Sequence, residues 1–431
     1  MNKPSVPTLY PLGIHVNLTQ FIHQLLQVFL VGLMLGMLRI VVPALSESEF
    51  GVPKGSFMLL MAFVVAFGFV KASLNFVAGH LADRFGRKKV LLMGWVFAVP
   101  IPALILFAPN WNWIVVATIL LGIHQGLTWS MTQTAKLDIT RADQRGFTLG
   151  LNEFSGYLGV ALAGVMTGYL ATLLPPRVGL LLFGSIVILL ALVMTAVWVK
   201  ETRPYAQAAS ATRVDPLTNQ DSLGSKPSTW ELFAFMSWRD RRMLVLCQAG
   251  LVEKFVDALV WVFYPVYLLQ RGLSVAGLAW VIGVYGFVWG TAQLVTGRLS
   301  DRIGRKKPIV YGMWICGAGV VMMLYSDQAI GWMVSAAITG LGMALLYPNL
   351  SAAVADLAHP QWRGAAIGIY RFWRDLGYGI GALLLGAVAT LSGSLSAGFW
   401  FTAAAMFVSG AVVMVLGDET HPRLNSSHRK V

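Results

Sequence analysis

The chain has 431 residues, of which 57% are hydrophobic and only 12% charged, with a mean hydropathy of +0.68. Because soluble domains carry about 25% charged residues, this composition excludes an ordinary soluble protein and favours a membrane protein. The net charge of +13 would suggest nucleic-acid binding in a soluble protein. Here the basic residues lie in short loops between apolar stretches, so no nucleic-acid partner is expected.

Apolar stretches of about twenty residues, the length that crosses a bilayer, recur along the whole chain. A membrane interior offers no water to the backbone, so such stretches form helices unless strands close into a barrel. The alternation typical of barrel strands is missing here. The sequence predicts twelve helices, over residues 18–44, 55–80, 90–108, 112–136, 146–172, 178–199, 243–268, 274–298, 308–326, 329–355, 364–391 and 395–417.

Lys and Arg are unequally divided between alternate loops. One set of loops, which includes 84–89, 200–242 and 302–307, carries most of them. The opposite set holds only Lys54, Arg177 and Arg271. Since basic loops stay in the cytoplasm, both termini are predicted to be cytoplasmic.

A polar connection at residues 200–242, rich in Pro, Ser, Asn and Asp, divides the chain. It separates an N-terminal bundle (1–199) from a C-terminal bundle (243–417), which a tail follows (418–431). Most of the connection is expected to be a flexible linker. Its end, "WELFAFMSWRDRR", mixes aromatic and basic residues, a pattern that suits a helix on the membrane surface. A simple tether is the alternative.

The two bundles share an internal repeat with an offset of 218 residues. "GHLADRFGRKK" at 79–89 and "GRLSDRIGRKK" at 297–307 agree at eight of eleven positions. The same offset relates Asp138 to Asp356. Because six helices return the chain to the same side, the bundles share one orientation and are related by an axis along the membrane normal, as in parallel-repeat transporters.

With these features the chain resembles the major facilitator superfamily over nearly its whole length. The family motif G-x-x-x-D-R-x-G-R-R/K is matched at 79–88 and again at 297–306. The resemblance implies an all-α membrane protein with twelve transmembrane helices in two parallel-repeat six-helix bundles. It also implies a bacterial cytoplasmic (inner) membrane location, a monomer, and a cavity lined by the first, fourth, seventh and tenth helices. The second helix would pack against the eleventh, and the fifth against the eighth.

The duplicated motif is predicted to be a conformational hinge, as the resemblance implies, with a simple topology anchor as the alternative. Gly86 permits a turn that other residues resist, and Asp83 is expected at the N-terminus of a neighbouring helix. The basic side chains would face anionic membrane lipid. The predicted hinge residues are Gly79, Asp83, Arg84, Gly86, Arg87, Gly297, Asp301, Arg302, Gly304 and Arg305.

Polar residues at membrane depth are the expected functional site, because a charge at the centre of a spanning helix costs about 2.5–3.5 kcal/mol. Lys71 and Asp375 lie at similar depths and are predicted to approach each other between the two bundles. Static ion pairs, Lys254 with Asp257 or Arg371 with Asp375, are the alternative to a transport role. The predicted substrate and coupling residues are Arg39, Lys71, Asn75, His124, Trp129, Glu153, Tyr157, Glu253, Asp257, Tyr347, Arg371, Arg374 and Asp375.

Proton coupling needs a group that can take up and release a proton. Glu153 and Asp257 are the leading candidates, since a carboxyl in an apolar site titrates within reach of neutral pH. His124 is a further candidate, although a lone His in a helix is more often packed or hydrogen-bonded. Trp129 and Tyr347, equivalent in the two bundles, are expected to wall the cavity, with core packing as the alternative.

The sequence predicts a secondary active transporter that moves a small polar solute by alternating access. Cations outnumber acids at membrane depth, and Arg suits carboxylate or phosphate, so an anionic or zwitterionic cargo is expected. The phosphate loop of ATPases is missing from the sequence, which favours a proton or another ion as the energy source. No enzyme activity, metal or cofactor is expected.

Two other functions remain open. One is a proton-driven efflux pump for drugs or metabolites. Thr118 weakens it, because many proton-coupled members of the resembled family carry an Arg there, and the fifth helix lacks the Gly-Pro pair of drug antiporters. The other is a sensor that binds a solute without transporting it.

Overall fold

The computed structural model describes residues 10–141, 144–211, 228–358 and 363–421, which are helical and contain no strand. They also contain a π-helical turn at Phe235–Arg239. The α-helices of these residues are α1 (Leu18–Ala44), α2 (Phe57–Phe85), α3 (Arg87–Ala98), α4 (Ile101–Leu106), α5 (Trp111–Ile139), α6 (Arg145–Leu173), α7 (Pro176–Val197), α8 (Arg203–Ala211), α9 (Thr229–Ala234), α10 (Arg241–Gln270), α11 (Val275–Ile303), α12 (Lys306–Leu324), α13 (Ala329–Leu357), α14 (Arg363–Ser392) and α15 (Leu395–Leu416).

Eleven segments of the described chain are long and apolar enough to cross a membrane, with α3 and α4 together forming one of them. The twelfth span is α10. Every 18-residue stretch of this helix contains Glu253, Lys254 and Asp257. These three charges, and not its length, distinguish α10 from the eleven more apolar segments. The predicted all-helical fold with twelve spans is confirmed, and the third span is interrupted at Val99 and Pro100.

The two halves meet along two long helix pairs. α2 packs along α14, and α6 packs along α11, which confirms the predicted contacts of the second helix with the eleventh and of the fifth with the eighth. Gly68 of α2 lies so close to Gly379 of α14 that a Cβ on Gly68 would overlap the backbone there. Small residues at such crossings let membrane helices approach closely.

The interface is closed towards one side of the bundle. We call the side with the turns at Gly86 and Gly304 the terminal face, and the opposite side the far face. Towards the far face, residues 30–43 of α1 are all buried. Phe67 of α2 packs edge-on against Trp261 of α10, with ring centroids 4.8 Å apart. The far face is therefore sealed by contacts between the halves.

Packing loosens towards the terminal face. Three glycines inside helices there have no atom within 4 Å of the place where a Cβ would lie, and they are Gly150, Gly297 and Gly368. The glycines with similar open space near the far face, such as Gly55, lie in turns between helices. The aromatic end of the linker covers part of this side, where Phe233 stacks on Trp373 with ring centroids 5.9 Å apart. The indole nitrogen of Trp373 also donates to Oγ of Ser237 at 2.8 Å. This segment is therefore docked on α14.

Candidate functional site

One ion pair joins the halves at equivalent positions of the repeat. Nη1 of Arg39 on α1 lies 2.9 Å from Oδ1 of Asp257 on α10, and both side chains are buried. The two residues are 218 positions apart, which is the repeat offset. Residues that lie near a two-fold axis meet their own counterparts, so opposite charges at this position attract where identical charges would repel.

Asp257 is surrounded by further donors. Its Oδ2 accepts from Nζ of Lys254 at 3.2 Å and from the hydroxyl of Tyr378. The hydroxyl of Tyr285 lies 3.4 Å from Oδ1. The expected pair of Lys254 with Asp257 is thus present, and Nζ of Lys254 also lies 3.7 Å from Oε1 of Glu253. Helices from both halves therefore hold this one carboxylate.

A second cluster crosses the interface between α2 and α14. The predicted approach of Lys71 to Asp375 is confirmed, with Nζ and Oδ2 3.8 Å apart. The amide nitrogen of Asn75 donates to the same oxygen, and Asn75 in turn accepts from Oγ of Ser130 at 3.0 Å. The other oxygen of Asp375 accepts from Nε of Arg374 at 2.9 Å.

An ion pair between Arg371 and Asp375, one of the static alternatives, is not formed. Arg374 and Lys71 already flank the two oxygens of Asp375. Arg371 instead extends across the interface, where its Nη1 donates to Oε1 of Gln133 on α5. This guanidinium therefore has an amide partner in the opposite half rather than a carboxylate on its own helix.

Aromatic rings from both halves enclose Lys254. Its Nζ lies 4.7 Å from the ring centroid of Trp289 and 5.0 Å from that of Tyr347. Tyr157 of the first half packs on Trp289 with centroids 3.7 Å apart, and Trp129 packs on Tyr157 at 5.5 Å. Since ring faces attract cations, these rings stabilise the ammonium group inside the interface.

Glu153 lies beside this aromatic group. Its Oε1 accepts from Nε1 of Trp129 at 3.1 Å and from the side chain of Asn152 at 2.9 Å. Its Oε2 has no hydrogen-bond partner among the described residues. Glu153 is therefore a buried carboxylate whose described donors all reach one of its two oxygens.

His124 lies apart from both clusters. Its Nδ1 is hydrogen-bonded to the carbonyl of Gly94 at 3.0 Å, and its ring packs on Trp95 with centroids 4.5 Å apart. Both partners belong to α3, inside the first half. This is the packed, hydrogen-bonded position that the sequence left open as an alternative.

The two basic turns at the terminal face share one geometry. Gly86 and Gly304 have φ of +91° and +92°, a conformation that favours glycine. The carboxylate of Glu201 accepts from the backbone nitrogen of Arg87 at 2.9 Å, and that of Glu419 accepts from the nitrogen of Arg305 at 2.8 Å. Each carboxylate thus caps the N-terminus of the helix that follows the turn, where negative charge is favoured.

Sequence reasoning missed Glu201 and Glu419. A signal was available, because "ETRP" at 201–204 and "ETHP" at 419–422 are separated by the same offset of 218. Partial burial opposes ionisation of Glu201, but hydrogen bonds from the backbone nitrogens of Arg203, Arg87, Lys88 and Thr202 prevail and lower its pKa below the ordinary value for Glu.

The other predicted hinge residues are placed as follows. Nε of Arg87 pairs with Asp138 at 2.8 Å, and Nε of Arg305 pairs with Asp356 at 3.2 Å, which again matches the offset. Arg84 and Arg302 are exposed, and Gly297 belongs to the open positions described above. Three positions fall outside the residues whose side chains the structure describes, namely Gly79, Asp83 and Asp301.

Within the described residues, no three His, Cys, Asp or Glu side chains are grouped to hold a metal ion. The two cysteines, Cys247 and Cys316, are unpaired and buried. The arrangement that the structure offers is therefore one of ion pairs and aromatic rings between two halves.

Comparison with known proteins gave three kinds of likeness. Residues 25–256 and 246–431 each match a family model described as Major Facilitator Superfamily. Multidrug resistance protein MdtG of Proteus mirabilis is 24% identical over 355 residues, which cover 80% of this chain and 82% of that protein. Proton-coupled antiporter flippase LtaA of Staphylococcus aureus is 24% identical over 353 residues, covering 80% and 81%. The crystal structure of D-xylose-proton symporter matches with a TM-score of 0.74 at 16% identity, covering 94% of this chain and 98% of that one.

Proposed function

Since the chain belongs to the major facilitator superfamily of membrane transporters, we propose that it is a secondary active transporter for a small polar, anionic or zwitterionic solute. Family and fold both point to transport rather than catalysis. The observation that carries the proposal is the pair of buried ion clusters between the halves. The Arg39–Asp257 and Lys71–Asp375 contacts join one half to the other, so they must part when the halves rock.

The charge balance of these clusters supports an anionic or zwitterionic cargo. Each of the cross-half carboxylates, Asp257 and Asp375, lies against two cations. Arg371 adds a cation with an amide partner, and its Nε has no hydrogen-bond partner among the described residues. This side chain is half-buried, and a carboxylate or phosphate of the cargo would bind it through hydrogen bonds that suit the guanidinium fork.

Alternating access follows from the two-fold arrangement. The N-terminal bundle (1–199) would rock against the C-terminal bundle (243–417) across the interface that contains both ion clusters, in the parallel-repeat manner. The linker (200–242) and the tail (418–431) would lie on the cytoplasmic side, where the basic turns meet anionic lipid of the bacterial inner membrane. One chain contains both halves, so a monomer suffices for this cycle.

Coupling to a proton or another ion is the proposed energy source. The names of two similar proteins, a proton-coupled antiporter and a proton symporter, support a proton. Glu153 and Asp257 remain candidate coupling groups. Of the two, Asp257 is held by two cations and two hydroxyl groups, whereas Glu153 keeps one oxygen without a described partner.

The test is a ligand screen by thermal unfolding of the purified protein. Organic acids, amino acids, sugars and cationic drugs are compared, because a ligand at a hundred times its Kd stabilises the folded state by about 2.7 kcal/mol. We expect anionic or zwitterionic compounds to raise the unfolding temperature, and expect the Arg371→Gln variant to lose that shift. Lys89→Gln, which changes an exposed cation of the basic turn, is the matched control and should keep it. Stabilisation by cationic drugs alone would contradict this cargo class.

An efflux pump for drugs is the second candidate function. The rings around Lys254 are the kind of surface that also binds an organic cation, and the similarity to a multidrug resistance protein supports the idea. Proton release from acid-loaded proteoliposomes on addition of an apolar cation would favour this function. No release, together with uptake of an organic anion, would favour the first.

A further inference from the structure

Glu253 stands out among the buried carboxylates of the interface. Its side chain is fully buried, and neither carboxylate oxygen has a hydrogen-bond donor among the described residues. Its nearest cation is Lys254, at 3.7 Å, which exceeds hydrogen-bond length. Asp257, one helical turn along, is by contrast held by Arg39, Lys254 and two tyrosine hydroxyls.

A buried carboxylate without donors is very unfavourable in the ionised form, whereas the neutral acid is far less so. The contacts therefore assign different protonation states to neighbouring groups. Asp257 has the donors that an anion needs, and Glu253 has the environment of a carboxylic acid. Glu153 is intermediate, because an indole and an amide donate to one of its oxygens.

The ionisable groups around Glu253 come from three helices. The helix α15, which also packs on α10, has no ionisable side chain between residues 395 and 416. The hydroxyl of Tyr370 lies against Gly250, three residues from Glu253 towards the terminal face. The ionisable groups near Glu253 are therefore Lys254 and Asp257 on α10, Arg374, Asp375 and Tyr370 on α14, and Cys316 on α12.

We propose, on the basis of the transport function above, that Glu253 carries the coupling proton and that Lys254 transmits its protonation state to the Arg39–Asp257 pair. With Glu253 neutral, Lys254 shares Asp257 with Arg39. When the O–H bond of Glu253 breaks and its proton passes to water, the new carboxylate attracts the ammonium group of Lys254 away from Asp257. The nitrogen lies 3.2 Å from one acid and 3.7 Å from the other, so a small side-chain movement suffices.

This exchange links protonation to the contact between the halves. After deprotonation Lys254 leaves, Arg39 remains as the cation paired with Asp257, and the ion pair between the halves becomes stronger. After protonation, Lys254 returns and competes for the same carboxylate, so the pair loosens. Lys254 is a positioning residue in this scheme, because it acts through Asp257 and does not itself give up a proton.

Infrared difference spectroscopy of the full chain in lipid vesicles tests the proton directly, without any cargo. We expect a carboxylic-acid carbonyl band that disappears as the pH is raised. The band should be missing in Glu253→Gln, shifted in Glu253→Asp, and unchanged in the control Glu47→Gln, which changes an exposed carboxylate. A band that survives in Glu253→Gln, or that is lost in Glu153→Gln, would overturn the assignment.

The role of Lys254 has its own readout. In Lys254→Gln the ionised form of Glu253 loses its cation, so the acid band should persist to higher pH. Spin labels at Lys54→Cys and Ser392→Cys, exposed positions of opposite halves near the far face, should report a pH-dependent distance that Glu253→Gln abolishes. An unshifted titration in Lys254→Gln, or an unchanged distance response in Glu253→Gln, would refute the exchange. If vesicles transport no solute but the band behaves as expected, the transport function fails while the proton on Glu253 stands.

Discussion

The turns of the terminal face and the interface between the halves use the internal repeat in opposite ways. At the turns both copies are kept alike. Gly86 and Gly304 have nearly the same φ, and Glu201 and Glu419 accept the same backbone hydrogen bonds. Each turn joins two helices within its own half and is capped in the same way, so the same residue types are suitable in both copies.

At the interface the copies differ, because there the halves face each other rather than themselves. Two identical charges at the axis would repel, and complementary residues avoid that repulsion. The equivalent positions carry Arg39 and Asp257, Lys71 and Trp289, Glu153 and Arg371, and Tyr157 and Asp375. The duplicated residues thus form the turns that both halves share, and the residues that differ between the copies form the ion pairs of the interface.

The largest predicted effect tests complementarity at the axis. Removing one partner of a buried ion pair leaves an uncompensated charge and costs about 3–5 kcal/mol. We expect Arg39→Asp and Asp257→Arg each to lower the free energy of unfolding by about that amount, measured by thermal and denaturant unfolding in detergent.

The double swap Arg39→Asp with Asp257→Arg should recover part of the loss. Recovery is limited because Lys254, 3.2 Å from Asp257, would then face another cation. A double variant no more stable than the singles would show that the surroundings, rather than complementarity between equivalent positions, determine the pair.

The second prediction tests the identity of the two turns. Gly86→Ala and Gly304→Ala place a Cβ at positive φ, where strain costs about 1–3 kcal/mol, and that Cβ would overlap the carboxylate of Glu201 or Glu419. We expect both variants to lose similar amounts of stability in the same unfolding assay.

Gly55→Ala is the matched control for the turns. Gly55 also has a positive φ, of +80°, but nothing lies within 4 Å of its Cβ position, so the strain acts alone and the loss should be smaller. If Gly86→Ala and Gly304→Ala differ widely from each other, the turns are not mechanical duplicates.

The sequence predicts the repeated helices well and the contacts between the interface side chains less well. Periodicity and loop charge predicted the helices and their orientation, whereas the contact of Lys71 with Asp375 was predicted from the helix packing that the family resemblance implies and from the similar depth of the two residues. The partner of Asp375 on its own helix was not predicted, because helical spacing suggested Arg371 as an alternative, whereas the adjacent Arg374 donates to the carboxylate. The partner of a long flexible side chain depends on its three-dimensional surroundings, which the spacing of residues along one helix does not determine.

The third prediction concerns charge at the turns. Glu201→Gln should lower stability by about 0.3–1 kcal/mol, the usual effect of a charge at a helix N-terminus, since this carboxylate is only partly buried. The folded-state pKa of Glu201 is lowered, whereas an unfolded Glu titrates near about 4.3. Its contribution is therefore fully present above that pH and is lost as the pH falls through the folded-state value.

Unfolding temperatures measured against pH check this prediction. The gap between wild type and Glu201→Gln should be constant near neutral pH and close under acid conditions. A gap that widens as the pH falls would contradict the direction of the pKa shift. Glu419→Gln offers the comparison in the second half and should lower stability near neutral pH by a similar amount.

The smallest predicted change in stability is that of Arg371→Gln, a variant expected to affect transport much more than folding. Its guanidinium is only half-buried and bonds the amide of Gln133, so Arg371→Gln should change the free energy of unfolding by no more than about 0.5 kcal/mol. Removing one positive charge from a cluster rich in cations also offsets the lost hydrogen bond. Yet the same variant should abolish uptake of an anionic cargo into proteoliposomes, because it removes a cation that has no carboxylate partner among the described residues. Arg374→Gln, which leaves Asp375 without its 2.9 Å partner, should show a clear loss of stability. If both variants destabilise equally and neither affects uptake selectively, Arg371 belongs to the scaffold after all.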